Sequence, residues 1–214
     1  MTTLTAPSTA SSSAGAVPRR RTLVGLSIAV VVLFVTGMVT GADNESDSSL
    51  ARIRDAYDYS DRTLQVTSYA GMAMCALLVF LGVAIRAGLR SRRAAWTADV
   101  AMLGFVVIGL TIAGWAVSGL AMWHAVDQGE DAAIRTLNFV DTANFLPLMM
   151  GMACAYVGAG LAGLAAGTLP RWLAVGSVVA GCLAPLGPLG FVPAMLLPLW
   201  LVAVAATVRL APQE

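Results

Sequence analysis

The chain has 214 residues, of which 58% are hydrophobic and only 12% are charged, and its formal net charge is +1. Because an ordinary soluble domain carries about 25% charged residues, this composition excludes a soluble enzyme, a nucleic-acid-binding protein and a disordered chain. It predicts an all-α fold: a polytopic transmembrane helix bundle that has the lipid bilayer as its first partner and binds no nucleic acid.

The N-terminal segment combines a polar tail with the first apolar run. Residues 1–21 are mostly Ser, Thr, Ala and Pro and end in three arginines. Such a segment cannot bury enough apolar area to fold, so we predict a disordered cytoplasmic tail. Residues 22–41 would span about 30 Å as a helix, which matches a bilayer core. The run is longer than the about 7–15 apolar residues of a signal peptide. We therefore expect a retained first helix, with a cleaved signal as the alternative.

Five further apolar runs have the length of membrane-spanning helices. They cover residues 66–85, 100–123, 145–166, 172–190 and 191–208. Together with the first run they make about six helices in a single transmembrane domain, residues 22–209, and leave 210–214 as a short cytoplasmic tail. Residues 185–190 contain two prolines and two glycines. They form either an external turn next to a thin crossing, which we expect, or irregular backbone inside the membrane.

The arginines predict the orientation of these helices, because the cytoplasmic loops of membrane proteins carry the excess of basic residues. The chain has no lysine. With the N-terminus inside, nine of the 13 arginines and only two of the 12 acids fall on the cytoplasmic side. We therefore predict six helices with the N- and C-termini both cytoplasmic, in a multi-pass protein of the bacterial cell membrane.

Two of the predicted external loops contain amphipathic segments. The apolar positions of the first segment are spaced as on one face of a helix: Leu50, Ile53, Tyr57 and Leu64. Ser48 or Ser49 can cap its first turn. This helix either lies on the outer surface or continues into the second membrane helix. Residues 130–144 show a weaker pattern of the same kind before the fourth membrane helix.

The chain also matches itself at an offset of 80 residues. Asp61 and Gly71 correspond to Asp141 and Gly151, and in both copies Met and Ala follow the glycine. If the match is a duplication, both acids lie at one depth and both glycines face the bundle interior. The two helices are then related by an axis along the membrane normal. The alternative is a coincidence among residues that are common in membrane helices.

Four ionisable residues are the candidates for a functional site: Asp61, Asp141, Asp99 and His124. Asp61 and Asp141 would stand at the outer ends of the second and fourth helices. An ionisable group in a membrane segment is a functional hypothesis, although solvated carboxylates explain these two as well. Asp99 can be a plain ion pair or a helix N-terminal charge. His124 is the single histidine, and it suits the membrane interface.

We assign no catalytic residue and expect no cofactor and no metal. A single histidine excludes bis-histidine haem ligation. The Met and Cys residues of the second and fourth helices suit a soft metal, but they equally fill gaps in apolar packing. The acidic run at residues 55–61 lacks the basic or Gly-rich partner that a diphosphate site needs.

Small residues occur at every fourth position of the fourth predicted helix: Ala155, Ala159, Gly163 and Gly167. This spacing lets two helix backbones approach each other closely in lipid. It predicts that the fourth helix packs at the centre of the bundle.

The arginine-only basic residues, the short Ser/Thr/Ala-rich tail, the six apolar runs and the last helix around residues 193–200 resemble polytopic membrane proteins of high-GC actinobacteria. That group has no assigned activity, so the resemblance implies a membrane bundle and no site residues. We expect a non-enzymatic structural, assembly or regulatory component, with membrane-protein partners or a homo-oligomer as possible assemblies. A small-solute or ion transporter using Asp61 and Asp141 is the alternative. A lipid-modifying or metal-dependent membrane enzyme is a third hypothesis.

Overall fold

The structure is a computed structural model that describes residues 20–40, 48–58, 61–91 and 93–208. The predicted tails lie outside these ranges, except for Arg20 and Arg21, and so does the side chain of Asp61. The described part contains no strand, and its helices are α1 (Arg20–Thr40), α2 (Leu50–Tyr57), α3 (Asp61–Leu89), α4 (Ala95–Gln128), α5 (Asp131–Ala143), α6 (Phe145–Ala166), α7 (Arg171–Leu183), a 3₁₀ turn (Gly187–Gly190) and α8 (Phe191–Thr207).

The predicted all-α class is confirmed, and five helical segments of the described chain are long and apolar enough to cross a membrane. These segments cover residues 20–37, 62–89, 95–128, 131–166 and 187–207. α7 is also apolar but has only 13 residues, which corresponds to about 20 Å.

Two helices extend beyond the apolar runs that predicted them. α3 has 29 residues and α4 has 34. Helical hydrogen bonds do not require apolar side chains, so the polar residues that flank each run stay in the helix. α4 is therefore about 51 Å long, whereas a bilayer core is about 30 Å thick. The excess length carries one end of α4 beyond the bundle.

The contact between α4 and α6 depends on glycine. A Cβ atom at Gly104 would lie 2.3 Å from the backbone nitrogen of Ala155, and one at Gly158 would lie 2.5 Å from that of Ala101. No side chain fits at such distances, so only glycine lets the two backbones come this close. α4 lies between α3 and α6, and α6 packs in turn against α7.

The four small residues predicted as a packing face of α6 have two different roles. Ala155 and Ala159 are fully buried, and Gly163 is buried against Leu169. Gly167 is exposed, has a φ of +67° and ends the helix. Glycine adopts this left-handed conformation without strain. Gly167 therefore terminates α6 and does not occupy the packing position that we predicted.

The apolar run at residues 172–190 does not form one continuous helix. α7 ends at Leu183, and a 3₁₀ turn follows before α8. The two prolines of this segment explain the end, because proline lacks the N–H that a helix needs and its ring clashes with the preceding turn. The N–H groups of Leu186 and Leu189 donate to the carbonyls three residues earlier, at 3.0 and 3.3 Å. Much of the polar backbone of the turn is thus bonded within the turn itself.

The turn between α7 and α8 packs against the side of α6. Gly190 is buried, and a Cβ atom there would lie 2.8 Å from the Met149 sulfur. Phe191 stacks on Phe145, with ring centroids 4.7 Å apart. Phe145 and Met149 are four and eight residues from Asp141 along the chain, or about 6 and 12 Å of helix. The turn is therefore set back from the end of the bundle at which Asp141 lies.

A second, smaller apolar core lies where α4 projects beyond the bundle. We call this region the cap and define it as α2, α5 and residues 119–128 of α4. Its core consists of Ile53, Tyr57, Met122, Ala125 and Ile134. The two amphipathic segments of the sequence bury their apolar faces here, against the end of α4.

The helices of the cap contain a capping hydrogen bond and an exposed ion pair. Ser49 is the N-cap of α2, and its side chain accepts a hydrogen bond from the N–H of Arg52 at 3.3 Å, as predicted. α2 ends at Tyr57, so it does not continue into α3. Arg54 on α2 pairs with Asp131 on α5, with an N–O distance of 2.5 Å.

Candidate functional site

Three of the four candidate residues lie apart from one another. Asp99 is at the end of the bundle opposite the cap, where Arg86 Nε donates a hydrogen bond to its Oδ1 at 2.5 Å. This ion pair joins α3 to α4. His124 is exposed on the cap, and its Nε2 is 2.8 Å from Nε2 of Gln128, one turn further along α4. Asp61 is the first residue of α3.

Asp141 lies in the last turn of α5 and contacts α4 with both its side chain and its backbone. The Ser118 hydroxyl donates a hydrogen bond to the carboxylate Oδ1, and the Trp115 indole Nε1 donates to the backbone carbonyl of Asp141 at 2.9 Å. The Ser118 oxygen is also 3.1 Å from the Trp115 carbonyl. A hydroxyl has one proton to donate, and an ionised carboxylate is the stronger acceptor. Trp115 and Ser118 are three residues apart, which places them on one face of α4.

A break between α5 and α6 places Asn144 beside these residues. α5 ends at Ala143, and Pro147 has no N–H to donate to the Ala143 carbonyl. The next helical bond, from the N–H of Leu148 to the Asn144 carbonyl, is long at 3.4 Å. The Asn144 amide faces α4, because a Cβ atom at Gly114 would lie 3.4 Å from its Nδ2. We call Trp115, Ser118, Asp141 and Asn144 the Asp141 cluster.

Two further buried polar side chains lie at this junction of bundle and cap. Ser68 of α3 donates to the Ala116 carbonyl of α4 at 3.4 Å. Asn138 is only 3% exposed, and the backbone carbonyl of Asn138 accepts a hydrogen bond from the Thr142 hydroxyl at 2.9 Å. The Asp141 carboxylate itself accepts a hydrogen bond from Ser118, and Ser68 and Asn138 add buried polar groups to the same junction. Chemically, a carboxylate at such a junction can hold a proton or a small cation.

The structure does not support the predicted repeat. A Cβ atom on Gly71 would touch Ala116 and Ile112 of α4, whereas one on Gly151 would touch Ile108 and Val107. Both glycines face α4, but their contacts on it differ by about six residues, or about 9 Å of helix. The methionines that follow the two glycines also differ in burial, because Met72 is 42% exposed and Met152 is fully buried.

The two acids of the repeat also lie at different depths. Ser68 contacts the carbonyl of Ala116, and α3 runs antiparallel to α4, so Asp61 is level with about residue 123 of α4. Asp141 contacts Ser118, which is about five residues or 7.5 Å deeper. This difference exceeds one helical turn. The match at an offset of 80 residues is therefore a coincidence of small and sulfur-containing residues in apolar helices.

An aromatic group fills the bundle interior between α4, α6 and α8. The ring of Trp200 lies 4.2 Å from that of Tyr156 and 6.0 Å from that of Phe105. The Trp200 Nε1 donates to the Ser177 hydroxyl at 2.8 Å, and the Tyr156 hydroxyl donates to the Pro193 carbonyl at 2.9 Å. The polar atoms of these buried side chains are thus bonded within the protein.

The sequence identified Asp141 but not the residues that hold it. Ser118 had no assigned role in the sequence-based prediction. Asn144 had no role in it. The available signals were the three-residue spacing of Trp115 and Ser118 and the proline that follows Asn144. Neither signal shows that α4 packs against α5 at this position.

Among the described residues, no three His, Cys, Asp or Glu side chains come close enough together to hold a metal ion. The fold and this junction define an all-α protein with several apolar helices of the kind found in membrane-embedded proteins. No protein-family model matches the sequence, and no similar chain was found among curated proteins or solved structures.

Proposed function

We propose that the protein is a multi-pass component of the cell membrane with a structural, assembly or regulatory role, in which the bundle anchors the cap at the membrane surface. The observation that carries this proposal is the separate apolar core of the cap. A chain that only had to cross a bilayer would not need a second core outside the bundle. The exposed face of α5 supports the proposal, because it carries a charged residue that suits a protein contact, Arg135.

We further propose that six helices, α1, α3, α4, α6, α7 and α8, are embedded in the bilayer with both chain ends in the cytoplasm. Asp99 and Ser118 are 19 residues apart on α4, or about 28 Å. This distance matches a bilayer core of about 30 Å. The Asp99 ion pair and the Asp141 cluster then mark its two surfaces, and the arginine distribution supports a cytoplasmic location for Asp99.

In this arrangement the turn between α7 and α8 ends inside the apolar layer, about 6–12 Å short of the level of Asp141. This proposal differs from the external turn that we expected from the sequence. The bonded N–H groups of the turn and its two prolines support an apolar setting, because lipid cannot satisfy a free N–H. A cysteine at Gly187 should resist an impermeant thiol reagent from either side. Labelling from outside would contradict the proposed depth.

A structural role also predicts that water does not reach the bundle centre, since Trp200, Tyr156 and Phe105 fill it. The test is thiol labelling of single cysteines in a variant whose native cysteines at 75, 154 and 182 are changed to serine. S177C should stay unlabelled in membranes. T136C on the cap, where the threonine is exposed, is the positive control and should react from outside only. Rapid labelling of S177C by a small water-soluble reagent would contradict the proposal.

The second candidate function is ion or small-solute transport, and the observation that favours it is the Asp141 cluster. A carboxylate held by Ser118 beside a broken helix resembles the way in which discontinuous helices bind ions in transporters. The mismatch in depth between Asp61 and Asp141 counts against a paired site. The test is proton and sodium flux in proteoliposomes of the full chain. Transport predicts a flux that D141N abolishes and D131N, a change on the exposed part of α5, preserves.

A further inference from the structure

α1 begins with two arginines that border an open groove. The groove has a volume of about 510 Å³ and is lined by Arg20, Arg21, Val24, Gly25 and Ile28. All five lining residues lie on one face of α1, so the groove is a shallow surface feature that is open to its surroundings. Nothing lies within 4 Å of a Cβ atom built at Gly25. The missing side chain therefore leaves the middle of the groove open.

The charges of this groove have no acidic partner in the described chain. Arg20 and Arg21 are exposed, and neither takes part in the ion pairs of the described residues, which are Arg54–Asp131 and Arg86–Asp99. A guanidinium group offers several N–H donors in one plane and binds phosphate oxygens in a bidentate manner. Two exposed guanidinium groups beside an apolar helix surface suit an anion that carries its own apolar part.

In the membrane arrangement proposed above, on which this step rests, the groove lies at the level of the lipid headgroups. The Ser27 hydroxyl on α1 lies 3.4 Å from the carbonyl of Leu201 on α8, and α8 ends six residues later at Thr207. Arg20 and Arg21 precede Ser27 by seven and six residues, and α1 runs antiparallel to α8. The two arginines are therefore level with the end of α8, where the apolar part of the bundle stops. Basic residues at such a boundary attract anionic lipids.

The apolar part of α1 continues from the groove as an uncovered surface. Ile28, Val32 and Val35 are 50%, 57% and 52% exposed. An acyl chain that leaves the groove past Gly25 can follow this surface. We infer that the start of α1 is a binding site for an anionic phospholipid, with its phosphate on Arg20 and Arg21 and one acyl chain along Val24, Gly25 and Ile28.

The experiment measures lipid binding to the purified full chain by native mass spectrometry from a neutral detergent. The probe is phosphatidylglycerol, with phosphatidylcholine of the same chain length as the neutral comparison. We expect a clear preference for phosphatidylglycerol. R20A/R21A should weaken that binding by about 30-fold, which corresponds to about fivefold for each arginine near an anionic lipid. R20K/R21K should retain part of the phosphatidylglycerol binding, because lysine keeps the charge but lacks the planar set of N–H donors of a guanidinium group.

A matched variant separates a site from general surface charge. R93A/R171A removes two exposed arginines from the same end of the protein, outside the groove, and should leave binding unchanged. G25L keeps the charge but fills the groove and should weaken binding as R20A/R21A does. Equal losses in R20A/R21A and R93A/R171A, or unchanged binding in G25L, would overturn the inference.

The probes also distinguish a lipid from a free anion. Inorganic phosphate at millimolar concentration should not displace phosphatidylglycerol, because it lacks the acyl chain that occupies the groove. Full displacement by inorganic phosphate would mean that the arginines bind any phosphate, and the lipid site would be refuted. The circular dichroism spectrum of each variant shows whether it keeps its helices, and R20K/R21K tests the site even if R20A/R21A does not fold.

Discussion

Replacing Gly104 with alanine tests whether the contact between α4 and α6 depends on direct backbone approach. The new Cβ atom would lie 2.3 Å from the nitrogen of Ala155 and 2.6 Å from the carbonyl oxygen of Gly151. Both neighbours are backbone atoms, which cannot turn away as a flexible side chain can. The two helices therefore have to move apart by about 1 Å before the alanine reaches an ordinary contact distance.

The magnitude follows from two opposing effects. Overpacking of a well-packed interior costs about 1–3 kcal/mol, and a gap of about 0.5–1 Å forfeits a quarter to a half of each contact energy. Alanine in place of glycine stabilises a helix by up to about 1 kcal/mol. We therefore expect G104A to lower the free energy of unfolding by about 1–2 kcal/mol.

Gly119 offers the matched control, because it lies on the same helix and nothing is within 4 Å of a Cβ atom there. G119A should be neutral or stabilise the protein by up to about 1 kcal/mol through helix propensity alone. The assay is unfolding of both purified variants in mixed micelles with increasing sodium dodecyl sulfate, followed by circular dichroism. If G104A proves as stable as G119A, the backbone contact does not hold the two helices together.

Three further changes test the bundle core, the cap core and the cap surface. W200A should destabilise the bundle by about 3–5 kcal/mol in the same assay, because it empties the space between α4, α6 and α8; a loss below 1 kcal/mol would contradict a filled interior. I134A should cost about 2–5 kcal/mol of cap stability, seen as faster hydrogen exchange in α2 and α5 with unchanged exchange in α6, whereas T136A on the exposed face should change neither. R54A should lower the free energy of unfolding by less than about 1 kcal/mol, and high salt should abolish this difference, because the pair with Asp131 is exposed. A larger loss would show that this ion pair anchors α2.

The sequence alone determined most of the features that depend on interactions between residues close together in the chain. Apolar runs of about 20 residues predicted the helices that became α1, α3, α4 and α6, because a helix satisfies its backbone within itself. Ser49 was predicted as a cap of α2 from its place before an amphipathic segment, and capping is likewise a local interaction. The all-α class followed from the same local patterns.

Other features were decided only by how the helices pack. Gly71 and Gly151 occupy equivalent places in a sequence match, yet they contact α4 about 9 Å apart. The axial position of one helix relative to another produces no periodic pattern in the sequence of either helix. Gly167 continues the small-residue spacing of α6 but ends the helix.

The candidate site likewise combines one residue that the sequence identified with partners that only the packing of the helices revealed. Asp141 was identified from its chemistry alone, since an ionisable group at the end of an apolar helix is conspicuous. Its partners Ser118 and Trp115 are 23 and 26 residues away in the chain and became partners through the antiparallel packing of α4 against α5 and α6. Side chains distant in sequence meet only when the register between helices is set. That register follows from close packing of small residues such as Gly104 against Ala155, which depends on the shapes of both surfaces at once.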